Sequence, residues 1–159
     1  MERTKSGSVE RVRAALSELG IDGAIKTFDQ STRTAAEAAE VVGCEVGQIA
    51  KSLIFRAKTS DRPVLVIARG DGRVNEKKIS QALGEKIGRA DPEYVRERTG
   101  FAIGGVAPVG HMGEVVTFLD EALGEFEIVW AAAGAPNTVF ATTPGDLVRM
   151  TAGEMIDVS

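Results

Sequence analysis

Apolar residues recur along this chain in two rhythms, one helical and one extended. In "SVERVRAALSELGI", Val9, Val12, Ala15, Leu16 and Leu19 share one stripe of a 3.6-residue period, which predicts an amphipathic helix with Ser8 as N-cap and Gly20 as stop. "AIKTFD" predicts a short strand. "STRTAAEAAEVVGC" predicts a second helix, because Thr34 and Glu37 have the spacing of a capping box and Gly43 supplies an end. After a turn at "EVGQIA" the rhythm changes. "SLIFRAK" and "RPVLVIAR" are dense in β-branched and aliphatic residues on either side of "TSD", the pattern of an antiparallel hairpin, with "GDG" at 70–72 closing the second strand. Lys51 stands at the threshold of the first of these strands.

Further along, "NEKKISQALG" sets Ile79 and Leu83 four residues apart ahead of Gly84, a helix with a charged outer face. "DPEYVRERTG" has Asp91 as N-cap, Pro92 at the first helical position and Gly100 at the stop. "EVVTFLD", "FEIVWAAA" and "TVFATT" predict three more strands, and "PGDLVRMTAG" a final helix or turn. Strands and helices interleave without a repeated βαβ unit. The pattern therefore predicts a single α/β (α+β mixed) domain over residues 1–159, built on a mixed, partly barrel-like sheet with surrounding helices.

Composition narrows this picture. At 159 residues and 43% hydrophobic, the chain is long enough for one core. No apolar stretch approaches the ~18 residues of a membrane span, and the first residues lack the basic-then-apolar layout of a secretory signal, so a cytoplasmic protein with no membrane partner is expected. Cys44 is the sole cysteine and His111 the sole histidine, which excludes an internal disulfide and supplies no recognisable metal set; neither metal nor cofactor is expected. The net charge of -4 conceals a split. Residues 51–89 hold 10 basic and 4 acidic side chains, a local +6, whereas residues 90–159 hold 3 and 11, a local -8. A polyanion could dock on the first of these, and an ordinary solvated face of mixed charge would give the same count.

Templates for a nucleophile, a base or a metal mostly fail, so any catalysis would rest on positioning and backbone dipoles. "GGVAPVG" at 104–110 is the best such device: Gly104 and Gly105 leave N–H groups open to a ligand, and Pro108 sets the loop's exit. It is neither a P-loop nor a dinucleotide fingerprint, and a plain tight turn has the same composition. "AAAGAPN" at 131–137 gives small residues that suit either a narrow pocket or close packing. Lys51 reads as a ligand cation or as a solvated strand-end lysine, and His111 as a ligand donor or a structural histidine.

Taken together, "TAAEAAEVVGCEVGQIAKSLIF", "PVLVIARGDGRVNEKKI" and "GFAIGGVAPVGH", in that order, resemble the YbaK and prolyl-tRNA synthetase editing-domain superfamily over about residues 27–150. Members hydrolyse the ester that joins a wrong amino acid to tRNA, typically tRNA for proline. The resemblance implies a stand-alone trans-editing deacylase acting on a small amino acid such as alanine or cysteine. Its partners would be the 3'-terminal adenosine of aminoacylated tRNA and a prolyl-tRNA synthetase. It implies catalytic roles for Lys51, facing the terminal adenosine and its phosphate, and for Gly104 and Gly105, whose amides would stabilise an oxyanion. It implies substrate contacts for Val106, Ala107, Pro108, His111, Gly134, Ala135, Phe28 and Thr32. A ribose hydroxyl of the substrate, or the thiol of a cysteinyl ester, would take the place of a protein base. Many relatives carry Ser or Thr before the loop proline where this chain has Ala107, which leaves amino-acid choice open. A non-catalytic module holding a tRNA end or a nucleotide is the alternative reading.

Overall fold

The computed structural model describes the backbone of residues 2–21 and 23–159 and the side chains of residues 7–21 and 23–159. Helix α1 spans Glu2–Glu18 and is followed by strand β1, Ile25–Thr27. Helix α2 is Ala35–Val42, strands β2 and β3 are Ile49–Ala57 and Pro63–Arg69, helix α3 is Glu76–Leu83 and strand β4 is Ile87–Arg89. Helix α4, Pro92–Thr99, leads through a long loop to strand β5, Val116–Asp120. Strands β6 (Val129–Ala132) and β7 (Thr138–Thr142), helix α5 (Pro144–Thr151) and strand β8 (Glu154–Ile156) complete the chain. No helix among the described residues is long and apolar enough to cross a membrane.

Local chemistry accounts for most of these boundaries. Thr34 accepts from the Glu37 N–H while the Glu37 carboxylate accepts from the Thr34 N–H, closing the capping box, and Gly43 ends α2 in the left-handed region at φ 85°. Asp91 caps α4 through the Tyr94 N–H at 2.8 Å, with Pro92 in the first turn. The β2–β3 turn places Asp61 at φ 64°, a conformation Asp tolerates, and the guanidinium groups of Arg56 and Arg98 hold its carboxylate.

Two expected boundaries differ. Helix α1 begins at Glu2, so Ser8 lies inside it rather than at its cap. The small Ser8 sits at a close approach of α1 to the loop after β6: a Cβ on Gly134 would stand 2.9 Å from the Ser8 carbonyl oxygen. Strand β2 begins at Ile49, which makes Lys51 its third residue and not its threshold.

All eight strands form one mixed sheet in the order β1-β7-β6-β2-β3-β5-β8, with β4 branching from β2. One core layer gathers Val12 and Leu16 of α1, Leu65, Ile67, Phe101, Leu119 and Phe140; the other gathers Val64, Val66, Ile79 and Phe118. The alternation of β3 sends successive residues into the two layers, which is why the whole strand reads as apolar.

Strand β2 decides where a site can exist. On one edge it pairs with β3 from Ala50 to Arg56. On the other edge it pairs with β6 only at Ile49 and Ala50, and with β4 only from Phe55 to Ala57. Among the described residues, nothing pairs with 51–54 on that edge, and no loop backbone bonds there. The sheet thus contains a four-residue opening in its middle.

Candidate functional site

Clefts of about 300 to 1,000 Å³ are the usual scale for a small-ligand site, and the opening in β2 sits under one of ≈ 630 Å³. Lys51, Ser52 and Leu53 form its floor, Thr32 and Arg33 the approach to α2 one wall, Ile103, Gly104 and Val106 a second, and Trp130 with Ala131 and Ala132 a third. A smaller recess of ≈ 180 Å³ continues along β2. It shares Ser52, Leu53, Ile103, Gly104 and Val106 with the cleft and is closed by Ile54, Phe55, Ala90 and Val95, so it is apolar apart from Ser52.

The Lys51 ammonium donates to the Gly72 carbonyl at 2.7 Å and the Gly70 carbonyl at 3.4 Å, which fixes the turn after β3 beside the cleft. An ammonium carries three donors, so one direction is left for a ligand. Asp71 in that turn has its carboxyl held below the usual range, chiefly by the hydrogen bond from Arg69 and then by the charges of Arg69 and Lys51. Arg33 makes no ion pair among the described residues, and its stem lies against Gly104, where a Cβ would meet Arg33 Cγ at 2.3 Å. Gly104 has φ 90°, so glycine is required there both by backbone angle and by space.

The loop over the opening is braced from behind. A Cβ on Gly105 would stand 3.0 to 3.2 Å from the Ala135 backbone, and Gly134, at φ 104°, meets α1. His111 donates through Nε2 to the Ala107 carbonyl at 2.7 Å, since a carbonyl can only accept, and its ring packs edge-on against Phe101 at 5.7 Å. Burial pushes the His111 pKa down, which keeps this neutral donor form. The Gly105 N–H is used within the loop, donating to the Ala102 carbonyl at 2.9 Å. No acceptor among the described residues takes the N–H of Gly104, Val106 or Ala107.

Of the residues expected at a site, Lys51, Gly104, Val106 and Thr32 line the cleft. The others do not. Gly105, Ala107 and Pro108 are buried in the loop's inner side, Gly134 and Ala135 form the brace behind it, and His111 bonds the loop to itself. Phe28 is engaged through its backbone with Asn137, at 2.9 Å in both directions. The small-residue run thus divides, with Ala131 and Ala132 facing the cleft and Gly134 and Ala135 packing. The sequence reading passed over Arg33, Ser52, Ile103 and Trp130. Ser52 was within reach, as a polar residue in an apolar strand next to Lys51; its buried Oγ has no hydrogen-bond partner among the described residues. The model of the aminoacyl-tRNA editing domain matches residues 29–150, which take in every wall of this cleft.

The chain belongs to the aminoacyl-tRNA editing domain family.

Relatives of this editing domain agree with that placement. It is 35% identical over 140 residues to the uncharacterized protein YwhH of Bacillus subtilis, covering 88% of each chain. It is 37% identical over 102 residues to the proline--tRNA ligase of Limosilactobacillus fermentum, which amounts to 62% of this chain and 18% of that enzyme. It superimposes with a TM-score of 0.89 and 42% identity on a crystal structure provisionally assigned as a trans-editing enzyme for prolyl tRNA synthetase, covering 96% of both chains.

Proposed function

We propose that this editing domain is a trans-acting deacylase that hydrolyses the ester between a small, wrongly attached amino acid and the 3'-terminal adenosine of a tRNA, with tRNA for proline as the substrate class. One observation carries the reading: Lys51, Gly104 and Val106 line a single cleft at a break in the sheet, and a narrow apolar recess opens from it. The large cleft has room for a nucleoside, with Lys51 toward its phosphate as a compact cation. The recess takes the amino-acid side chain. A difference of one methylene in such a recess is worth about 1 to 3 kcal/mol.

In the reaction, water attacks the ester carbonyl carbon, the carbonyl oxygen carries the developing charge, and the ribose oxygen leaves with a proton to give free amino acid and a tRNA 3'-hydroxyl. The N–H groups of Gly104 and Val106, unclaimed within the fold and beside the cleft, are the oxyanion donors in this scheme. Gly105, expected in that role, already donates to Ala102 and serves instead to seat the loop. One such donor is worth about 3 kcal/mol in the transition state. His111 is turned into the loop, so activation of water falls to a substrate hydroxyl, with orientation contributing up to about 7 kcal/mol or more.

A panel of mischarged tRNAs tests this. Release of amino acid from at least one member, suppressed in Lys51→Ala, is expected. Tight binding of a non-hydrolysable mimic with no turnover of any ester would replace the reading with a non-catalytic tRNA-end module.

A further inference from the structure

Of the 10 basic residues between 51 and 89, the fold sorts seven into two groups. Arg56, Arg62, Arg69 and Lys78 are neutralised by carboxylates, namely Asp61, Glu85, Asp71 with Glu125, and Asp157. Lys58, Lys77 and Lys86 enter no ion pair among the described residues, and all three line one groove of ≈ 400 Å³ between α3 and β4, opposed by the single carboxylate of Glu76. The Lys58 stem is laid across Gly88, where a Cβ would stand 2.8 Å from its Cε. Three unpaired ammonium groups around one groove repel each other, a cost removed when an anion enters.

The groove's position gives it a direction. Lys58 follows the last residue of β2, seven residues beyond Lys51, or about 23 Å along an extended strand. It lies on the side of the cleft where β4 pairs, and Arg89 of β4, exposed and without an ion pair among the described residues, stands between. At the other end of β2, the turn after β5 presents Glu121 and Glu127, exposed and without ion pairs among the described residues. A polyanion whose end lies in the cleft is repelled on one side and attracted on the other.

We infer that the Lys58–Lys77–Lys86 groove is a docking site for the phosphate backbone of an RNA helix, the base-paired stem adjoining the 3' end held in the cleft. The inference rests on the aminoacyl-tRNA reading for the identity of that end, and the groove reads backbone charge, not sequence.

Binding is measured with uncharged RNA, so that hydrolysis plays no part. The probes are a labelled hairpin carrying a single-stranded 3' overhang and the overhang trinucleotide alone, titrated by fluorescence anisotropy across a salt series. Changing Lys58, Lys77 and Lys86 together to Gln is expected to weaken hairpin binding by about 10-fold or more at ~0.1 M salt. It should also lower the salt slope by about 2 to 3, one ion-release increment per lost contact. Affinity for the trinucleotide should stay unchanged, and Arg96→Gln, the loss of one exposed positive charge on α4, should leave hairpin binding unaltered. An unchanged salt slope, or an equal loss for hairpin and trinucleotide, would overturn the inference. Failure of every mischarged tRNA to be hydrolysed would overturn the deacylase reading while leaving a lysine-dependent hairpin affinity standing.

Discussion

The two edges of strand β2 behave as different materials. Toward β3 it is paired without a break from Ala50 to Arg56 and its neighbours Leu65 and Ile67 are inaccessible to solvent; toward β4 and β6 the pairing stops for four residues, and Lys51, Ser52 and Leu53 open into a cleft. Backbone hydrogen bonds hold one edge without reference to side chains. The other edge is shaped by a loop held through small residues and one histidine. Stability should therefore be concentrated on the β3 side and chemistry on the opposite side, and substitutions can pull the two apart.

The largest effect should come from Ile67→Ala, which removes a buried side chain from the paired edge. A loss of about 2 to 5 kcal/mol in urea unfolding is expected, with cleavage per folded molecule preserved. Lys51→Ala should act in the reverse sense. Deacylation should fall about 30- to 100-fold, corresponding to ~2 to 3 kcal/mol for a charge-assisted contact, with a much smaller change in unfolding. Equal losses of stability and rate in this variant would make the lysine a structural tie to Gly70 and Gly72 only.

Gly105→Ala probes the brace. Its Cβ needs the Ala135 backbone to yield by a few tenths of an ångström, so a cost of about 1 to 3 kcal/mol should accompany a rate loss as the donors shift. A variant as active as the parent would show that the loop does not depend on this seating.

His111 gives a pH signature. Its folded pKa lies below its ordinary value near 6.5, so the unfolded chain binds the proton more readily. Its contribution is complete above about pH 6.5 and declines as pH falls through the folded value. In His111→Asn that part of the slope should vanish from stability measured between pH 7 and 5, and an unaltered slope would assign it to other groups. The smallest effect is expected for Ser52→Ala. Removing a buried hydroxyl with no partner should leave stability within about 1 kcal/mol of the parent or slightly above it, while altering which amino acids are released. A larger destabilisation would mean that the hydroxyl is bonded in the folded protein.

Features with local causes were legible. Thr34 and Glu37, Asp91 with Pro92, and the stops at Gly43, Gly84 and Gly100 each act within one helical turn, and each helix end falls where those residues put it. The β2–β3 hairpin was legible because two runs of aliphatic and β-branched residues flank a short polar turn, and β3 is buried along nearly all its length. Strands β4 and β8 were not: three residues carry no periodicity, and each is a strand only because β2 or β5 offers it an edge. Ser8 misled because its capping chemistry is the same whether a helix begins there or has merely placed a small residue at a close approach. The loop's glycines pointed to the right segment but not to their separate duties.

By itself, the sequence determined the family, the ends of α2, α3 and α4 and the β2–β3 hairpin, since these depend on residue types at short or characteristic spacings. Only the tertiary structure decided that β4 stops short of β6 and so opens the sheet beside Lys51, that Gly105 and His111 spend their donors inside the loop, and that three of ten basic residues are left unpaired in one groove. Those outcomes depend on which groups are already satisfied by distant partners, and hydrogen-bond and charge satisfaction are properties of the folded neighbourhood.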